Sequence, residues 1–385
     1  MPVPASLASP ALARQQLSTR LVFLNAGLGI AAWAPLVPFA QARGNLDAGD
    51  LGLLLLCIGA GSIVTMPLAG VAAARFGCRA VLIAATVLMC LMLPLLAVLA
   101  SPVLLAAALV SFGAAVGAVD CVANIQAVIV ERASRRPMMS GFHGLFSLGG
   151  IVGAGGMSGL LSLGLSPLAA TACMAVLILA ALLLAAPHLL ATGGNGGTAL
   201  ALPHGVVLTI AILCFILFLT EGAMLDWSAV FLTTLRGVEP AQAGLGYAAF
   251  AATMTAGRLG GDVVVQRLGG TRVVVLGSLC AAAGLALATV VPVWEAALAG
   301  YALVGAGCSN VVPVLYSALG RQTAMPESAA VPAVTTLGYA GILAGPVLIG
   351  WGAQATSLPI AFIAVALLLI GVAASARLLF PPSRA

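Results

Sequence analysis

The sequence predicts an all-α membrane protein, with twelve transmembrane helices in two pseudo-symmetric six-helix bundles. Three observations carry this. Of 385 residues, 62% are hydrophobic and only 6% are charged, with a mean hydropathy of +1.19; a water-soluble domain needs a far more polar surface. Apolar runs of helical length recur along the chain. About 20 apolar residues cross about 30 Å of hydrocarbon, and lipid satisfies no backbone polar group, so these runs must be helices rather than open sheet. Finally, the Gly-rich, charge-free stretch "PHLLATGGNGGTALALPHG" at 187–205 breaks the chain near its middle, with six runs on each side. The domains expected are a bundle over 1–190, a cytoplasmic linker over 191–204 and a second bundle over 205–385.

Span 1 (19–41) follows a start that holds no long apolar core, so no cleaved signal peptide is expected. It contains Asn25, Trp33 and the kinking prolines Pro35 and Pro38. Span 2 (51–73) carries a proline in "MPLAG" and leads into the loop "ARFGCRAVL". Span 3 (80–100) meets span 4 (102–129) across a break so short that the two must form an antiparallel hairpin. In span 4, Gly113, Gly117, Asp120 and Asn124 recur at i, i+4, i+7 and i+11, on one stripe of the helix. Two readings compete: a packing seam with Asp120 and Asn124 as glue, or a solute-facing stripe in which Asp120 is a second stop for a proton. Span 5 (138–163) holds His143, which can titrate near neutral pH and suit proton relay or act only as a hydrogen-bonding residue. Span 6 (167–186) closes the first half.

Span 7 (205–233) contains Glu221 and Asp226, in a chain that avoids charge elsewhere. A charged carboxylate at the centre of a membrane helix costs about 2.5–3.5 kcal/mol on insertion scales, which favours a proton or a partner. At about 100° per residue, five positions separate the two side chains by about 140°, so a regular helix cannot present both to one cavity. Glu221 is the proton-carrying or substrate-binding candidate, with a buried brace as the competing reading; Asp226 is the better candidate for a structural contact near the outer surface. In span 8 (241–265), Asp262 follows Arg258 by four residues, so a helical ion pair is available. The loop "QRLGGTRVVVL" then echoes the one after span 2 and leads into span 9 (272–292). Span 10 (295–319) offers Asn310 and Tyr316, although these, like Asn25, could equally satisfy backbone groups beside Pro313, Pro35 or Pro38. Span 11 (328–353) repeats the small-residue rhythm of span 5, with Gly341 and Gly345 matching Gly149 and Gly153. Glycines four apart admit close backbone approach, which suits packing against the opposite half. Span 12 (358–379) ends the series.

The basic residues are all arginine. With the N-terminus inside, only Arg43 and Arg236 fall outside, a bias that follows the positive-inside rule for both termini in the cytoplasm. The net charge of +5 therefore reports topology rather than nucleic-acid binding. All four tryptophans lie in outer halves or at outer edges. An aromatic belt accounts for Trp294 and Trp351, while Trp33 and Trp227 are open to stacking on a sugar ring or aromatic solute as well as to the belt. The eight cysteines are scattered without metal-ligand spacing. With no zinc-spaced His pair, no G-x-S-x-G setting and no Asp-rich cluster, neither an enzyme nor a metal or other cofactor is predicted.

The layout and the two R-x-G loops resemble the major facilitator superfamily across essentially the whole chain. "DCVANIQAVIVER", "GFHGLFSLGG", "EGAMLDWSAVFL", "GYAAFAATMTAGRLGGD" and "TLGYAGILAGPVLIG" are similar to a bacterial branch loosely related to fucose-permease-like members. The resemblance implies a bacterial inner-membrane secondary transporter, a monomer in the lipid bilayer, with spans 1, 4, 7 and 10 lining a cavity that two rocking halves expose alternately. It places Asn25, Trp33, Trp227, Asn310 and Tyr316 against that cavity and assigns gating to Arg75, Gly77, Arg79, Arg258, Asp262 and Arg267. The chain departs from the loop pattern at Ala74 and Gln266, where an acidic residue is usual, and at Cys78, which replaces an arginine. The function expected is proton-coupled movement of a small polar or amphipathic organic solute. Export of hydrophobic drugs or metabolites is the alternative, disfavoured because "LGGIVGAGG" in span 5 lacks the Gly-Pro of many antiporters; a non-transporting sensor lacks a loop large enough to signal.

Overall fold

A computed structural model describes residues 10–46, 48–193, 202–239 and 242–379. Most of the expected linker, Arg384 and the side chain of Arg377 lie outside the described residues. Every regular element among them is helical. In the first half these are α1 (Pro10–Ala31), α2 (Val37–Gly44), α3 (Ala48–Val98), α4 (Pro102–Ser134), α5 (Met139–Ser162) and α6 (Pro167–Ala185). The second half holds α7 (Gly205–Leu235), α8 (Leu245–Leu259), α9 (Gly261–Leu268), α10 (Gly270–Val290), α11 (Trp294–Cys308), α12 (Val311–Leu319), α13 (Glu327–Ala355) and α14 (Leu358–Leu379).

Ten helices among the described residues are long and apolar enough to cross a membrane. The difference from the twelve expected spans has local causes. Spans 2 and 3 run together as α3, interrupted only at Gly77, whose φ of 84° and ψ of 157° are not helical. Span 8 divides at Gly260 into α8 and α9, each shorter than a crossing. Proline acts where it was expected to: α1 stops before Pro35 and the chain resumes as α2 after a turn of 3-10 helix at Ala34–Leu36. Span 10 likewise breaks into α11 and α12 just before Pro313, whereas Pro67 and Pro94 are accommodated inside α3.

The outward faces explain why these helices need lipid. α6 buries Thr171, Met174, Ile178 and Leu182, yet its opposite side is Val176, Leu177, Leu183 and Leu184, all exposed. A helix apolar all round is stable only where both surroundings are apolar.

Compact clustering divides the chain into two units, one drawn from Met1–Met138, Leu145–Leu200 and Pro326–Pro332, the other from Met139–Gly144, Ala201–Met325 and Ala333–Ala385. Within the first, α3 lies along α4: a Cβ at Gly113 would overlap the Ile58 carbonyl, and Ser62 Oγ donates to the Gly113 carbonyl at 2.8 Å. Gly149 and Gly153 lie against the backbone of Leu24 and Leu28 of α1. Within the second unit, Gly341 and Gly345 lie against Phe215 and Leu219 of α7. The glycine rhythm of spans 5 and 11 thus serves packing inside each unit, not against the opposite half. Spacing of small residues encodes a close approach but leaves its partner open.

Arg43 and Arg236 make matching contacts. Arg43, at the end of α2, donates from Nε to the Leu99 carbonyl at 2.9 Å and from Nη2 to Leu96 at 2.8 Å, past the end of α3. Arg236, just after α7, donates from Nη2 to Ala288 at 2.7 Å and Thr289 at 3.0 Å, at the end of α10. Each supplies donors to helix-end carbonyls that lack intrahelical partners.

Candidate functional site

The second unit gathers most of the polar residues singled out in the sequence. Glu221 sits just past the middle of α7, and its Oε2 lies 3.6 Å from Nη2 of Arg258 near the end of α8. The arginine is the more buried partner, its side chain 7% exposed against 28% for the glutamate. A guanidinium taken out of water needs a counter-charge, and Glu221 supplies one while keeping an open side. Asp226 is exposed, as the angular divergence from Glu221 requires.

The chain breaks at Gly260 directly after this arginine, and the break is built by Asn310. Its Nδ2 donates to the Gly257 carbonyl at 3.1 Å and to Ser309 Oγ at 3.0 Å, and its Oδ1 fills the space a Cβ at Gly261 would need. Arg258 lies in the last turn of α8 beside Glu221 and Asp262 in the first turn of α9, so the two residues expected on one regular helix fall on either side of a break. Asp262 Oδ1 accepts the N–H of Gly141 at 3.0 Å, in the first turn of α5. A carboxylate there satisfies an orphan donor and meets the positive end of the helix dipole. Two residues further on, His143 is buried with its ring centroid 5.8 Å from that of Tyr316, whose hydroxyl lies 2.8 Å from Thr335 Oγ1. Trp227 packs its ring edge within 3.2 Å of the Cβ position of Gly350 in α13. Arg267 is exposed.

The first unit treats its candidates differently. Asn25 is buried and donates to the Ile178 carbonyl at 3.1 Å, leaving Oδ1 without a partner. Asp120 and Asn124 are both buried, and Asn124 Nδ2 turns back to the Asp120 carbonyl at 2.9 Å. Trp33 lies in the apolar core with Leu28, Leu36 and Met89. At the kink, a Cβ on Gly77 would overlap the Ala191 carbonyl, Arg75 stays exposed over the ring of Phe76, and Arg79 donates to the Leu189 and Pro187 carbonyls at 3.0 and 2.7 Å. Three groups escaped the sequence reading. Arg132 pairs with Glu327, the first residue of α13; Glu131 Oε2 accepts the N–H of Met138 at 2.7 Å; and Gln126 joins Thr19 Oγ1 to the N–H of Leu190. The available signal was charge at span ends, since Glu327 follows Pro326 directly and Arg132 closes span 4.

No protein-family profile matches the chain. Individual relatives do. An uncharacterized MFS-type transporter of Yersinia pestis is 58% identical over 94% of this chain and 95% of its own length. Membrane protein MosC of Rhizobium meliloti is 32% identical over 87% of this chain and 83% of its own. Among solved structures, the E. coli fucose:proton symporter FucP superposes with a TM-score of 0.79 at 16% identity, covering 96% of this chain and 99% of that one. The proton:xylose symporter XylE gives 0.75 at 16% identity, with 97% of both chains covered. At such identities these structures report a shared fold.

Proposed function

Since the chain belongs to the major facilitator superfamily of membrane transporters, we propose that it moves a small polar or amphipathic organic solute by alternating access, with Glu221 as the residue that gains and loses the coupling proton. The proposal includes twelve crossings in two six-helix halves, with α3 counted as two passes about Gly77 and α8 with α9 as one. It also places both termini on the cytoplasmic side of a bacterial inner membrane.

What supports Glu221 is its setting. The carboxylate is partly open and 3.6 Å from a buried arginine, so protonation would remove a counter-charge beside the Arg258 guanidinium. A group whose protonation changes the balance of charge around a helix break can bias one arrangement of the helices over another. The fold shared with two sugar:proton symporters is in keeping with this reading. His143 and Tyr316 provide the adjoining polar surface, while Asp120 and Asn124 form a separate buried pair in the other unit.

Glu221→Gln keeps the size and removes the titration. In proteoliposomes with an imposed pH gradient, the variant should lose gradient-driven solute accumulation while still folding, with a cooperative melting transition at a somewhat lower temperature. Undiminished accumulation would remove Glu221 from the coupling step.

A further inference from the structure

We infer that the first unit binds a phosphate-bearing anion in a cavity of about 300 Å³ between the start of α1, the segment after the Gly77 kink and the chain leaving α6. Arg14 and Gln15 line it from α1, Arg79 from α3, and His188 from the segment Pro187–Ala191. No carboxylate is among the lining residues.

The floor is a built structure. Arg79 N donates to the Leu190 carbonyl at 2.8 Å and Cys78 N to Thr192 at 3.4 Å, so the chain leaving α6 pairs with the kink through its backbone. The N–H of Leu190 donates to Gln126 Oε1 at 3.1 Å, and Gln126 is itself held by Thr19. Glycine at 77 and 193 makes the contact close enough that a Cβ at either would overlap a facing carbonyl. Arg79 spends Nε and Nη2 on the Leu189 and Pro187 carbonyls, and among the described residues Nη1 makes no hydrogen bond. Its guanidinium is thereby fixed in place with one nitrogen still available.

Two guanidiniums sharing a small cavity repel each other unless an anion lies between them. The Arg14 fork and Arg79 Nη1, with the Gln15 amide and the His188 imidazole, form a donor set suited to an anion with several acceptor oxygens. Phosphate presents three or more acceptor oxygens and is the group arginine pairs matches best. The cavity lies where α1 begins, α6 ends and α3 is interrupted at Gly77, so on the proposed topology the phosphate could come from an anionic lipid headgroup or from solution.

Full-length protein in detergent, examined by native mass spectrometry, separates these cases. Phosphatidylglycerol is the lipid probe, diacylglycerol the same chains without phosphate, and inorganic phosphate the soluble probe. The expected result is retention of one phosphate-bearing ligand, weakened about fivefold by Arg14→Gln and restored by Arg14→Lys. Arg272→Gln removes the same charge from an exposed helical position outside the cavity and should leave retention unchanged. Displacement of the lipid by inorganic phosphate assigns the free anion; lipid retention that phosphate does not disturb assigns the headgroup. Equal retention of diacylglycerol and phosphatidylglycerol with no phosphate bound, or equal losses in Arg14→Gln and Arg272→Gln, overturns the site.

Discussion

Arg258 approaches Glu221 to 3.6 Å with the arginine almost wholly enclosed and the glutamate partly open. The pair is therefore asymmetric in what each partner loses on mutation. Stripping one partner from a buried pair costs about 3–5 kcal/mol, whereas replacing both by apolar or neutral groups is often near neutral. Glu221→Gln should lower the melting temperature in detergent, because it removes a counter-charge from beside the enclosed guanidinium. Arg258→Met should cost less, since the carboxylate it leaves behind can reach water or take a proton. The double variant Glu221→Gln/Arg258→Met should be more stable than the sum of the single losses predicts. Strict additivity in thermal unfolding would mean the two side chains do not interact.

Asp262 acts at the start of a helix to which it does not belong. Its carboxylate receives the Gly141 N–H in the first turn of α5. Replacing such an acceptor by alanine costs about 0.5–2 kcal/mol at an N-terminus, and asparagine, which keeps the oxygen, should cost a fraction of that. Thermal unfolding of Asp262→Ala against Asp262→Asn measures the difference. If the two were equally destabilised, the charge would matter more than the hydrogen bond, as the helix dipole allows.

Two glycines of α5 give opposite expectations. A Cβ at Gly149 would overlap the Leu24 carbonyl of α1, backbone that cannot step aside, while a Cβ at Gly155 meets nothing within 4 Å. Gly149→Ala should therefore destabilise by about 1–3 kcal/mol through overpacking. Gly155→Ala should be neutral or stabilising by up to about 1 kcal/mol, because alanine is the better helix former. Comparing the two variants by thermal shift tests the helix contact without touching any charged residue.

What the sequence reveals and conceals follows from the same contacts. Composition and the length of apolar runs are one-dimensional properties, so the all-helical membrane architecture was legible, as was the break at Pro35; Pro67, in the "MPLAG" stretch, is instead accommodated inside α3. Periodicity likewise separated Glu221 from Asp226. Partner choice was not legible, because it depends on which helices meet in space. Gly149 and Gly341 were recognisable as close-approach residues, yet nothing in the spacing names Leu24 or Phe215 as the facing backbone. Span 8 suggested one regular helix, but it divides at Gly260, where Asn310, distant in sequence, fills the space at Gly261. Arg132 and Glu327 lie 195 residues apart, beyond any local pattern.

Arg43 and Arg236, the two arginines that the positive-inside reading leaves outside, make matching contacts. Arg43, at the end of α2, donates to Leu96 and Leu99 at the end of α3, and Arg236, just after α7, donates to Ala288 and Thr289 at the end of α10. Charged donors to helix-end carbonyls typically contribute about 1.5–3 kcal/mol when shielded from water and less when partly exposed, as these are. The second site has an added contact, since the Arg236 guanidinium carbon lies 4.7 Å from the centroid of Phe231, which stacks on Phe362 at 5.3 Å. A cation over an aromatic face adds about 0.5–2 kcal/mol depending on desolvation. Arg236→Gln should consequently lower the melting temperature more than Arg43→Gln. Lysine should rescue neither fully, because it lacks the fork that reaches two carbonyls. Phe231→Leu should erase most of the difference between the two glutamine variants if the ring is its cause; a difference that persists in the Phe231→Leu background would trace it to the carbonyl contacts instead.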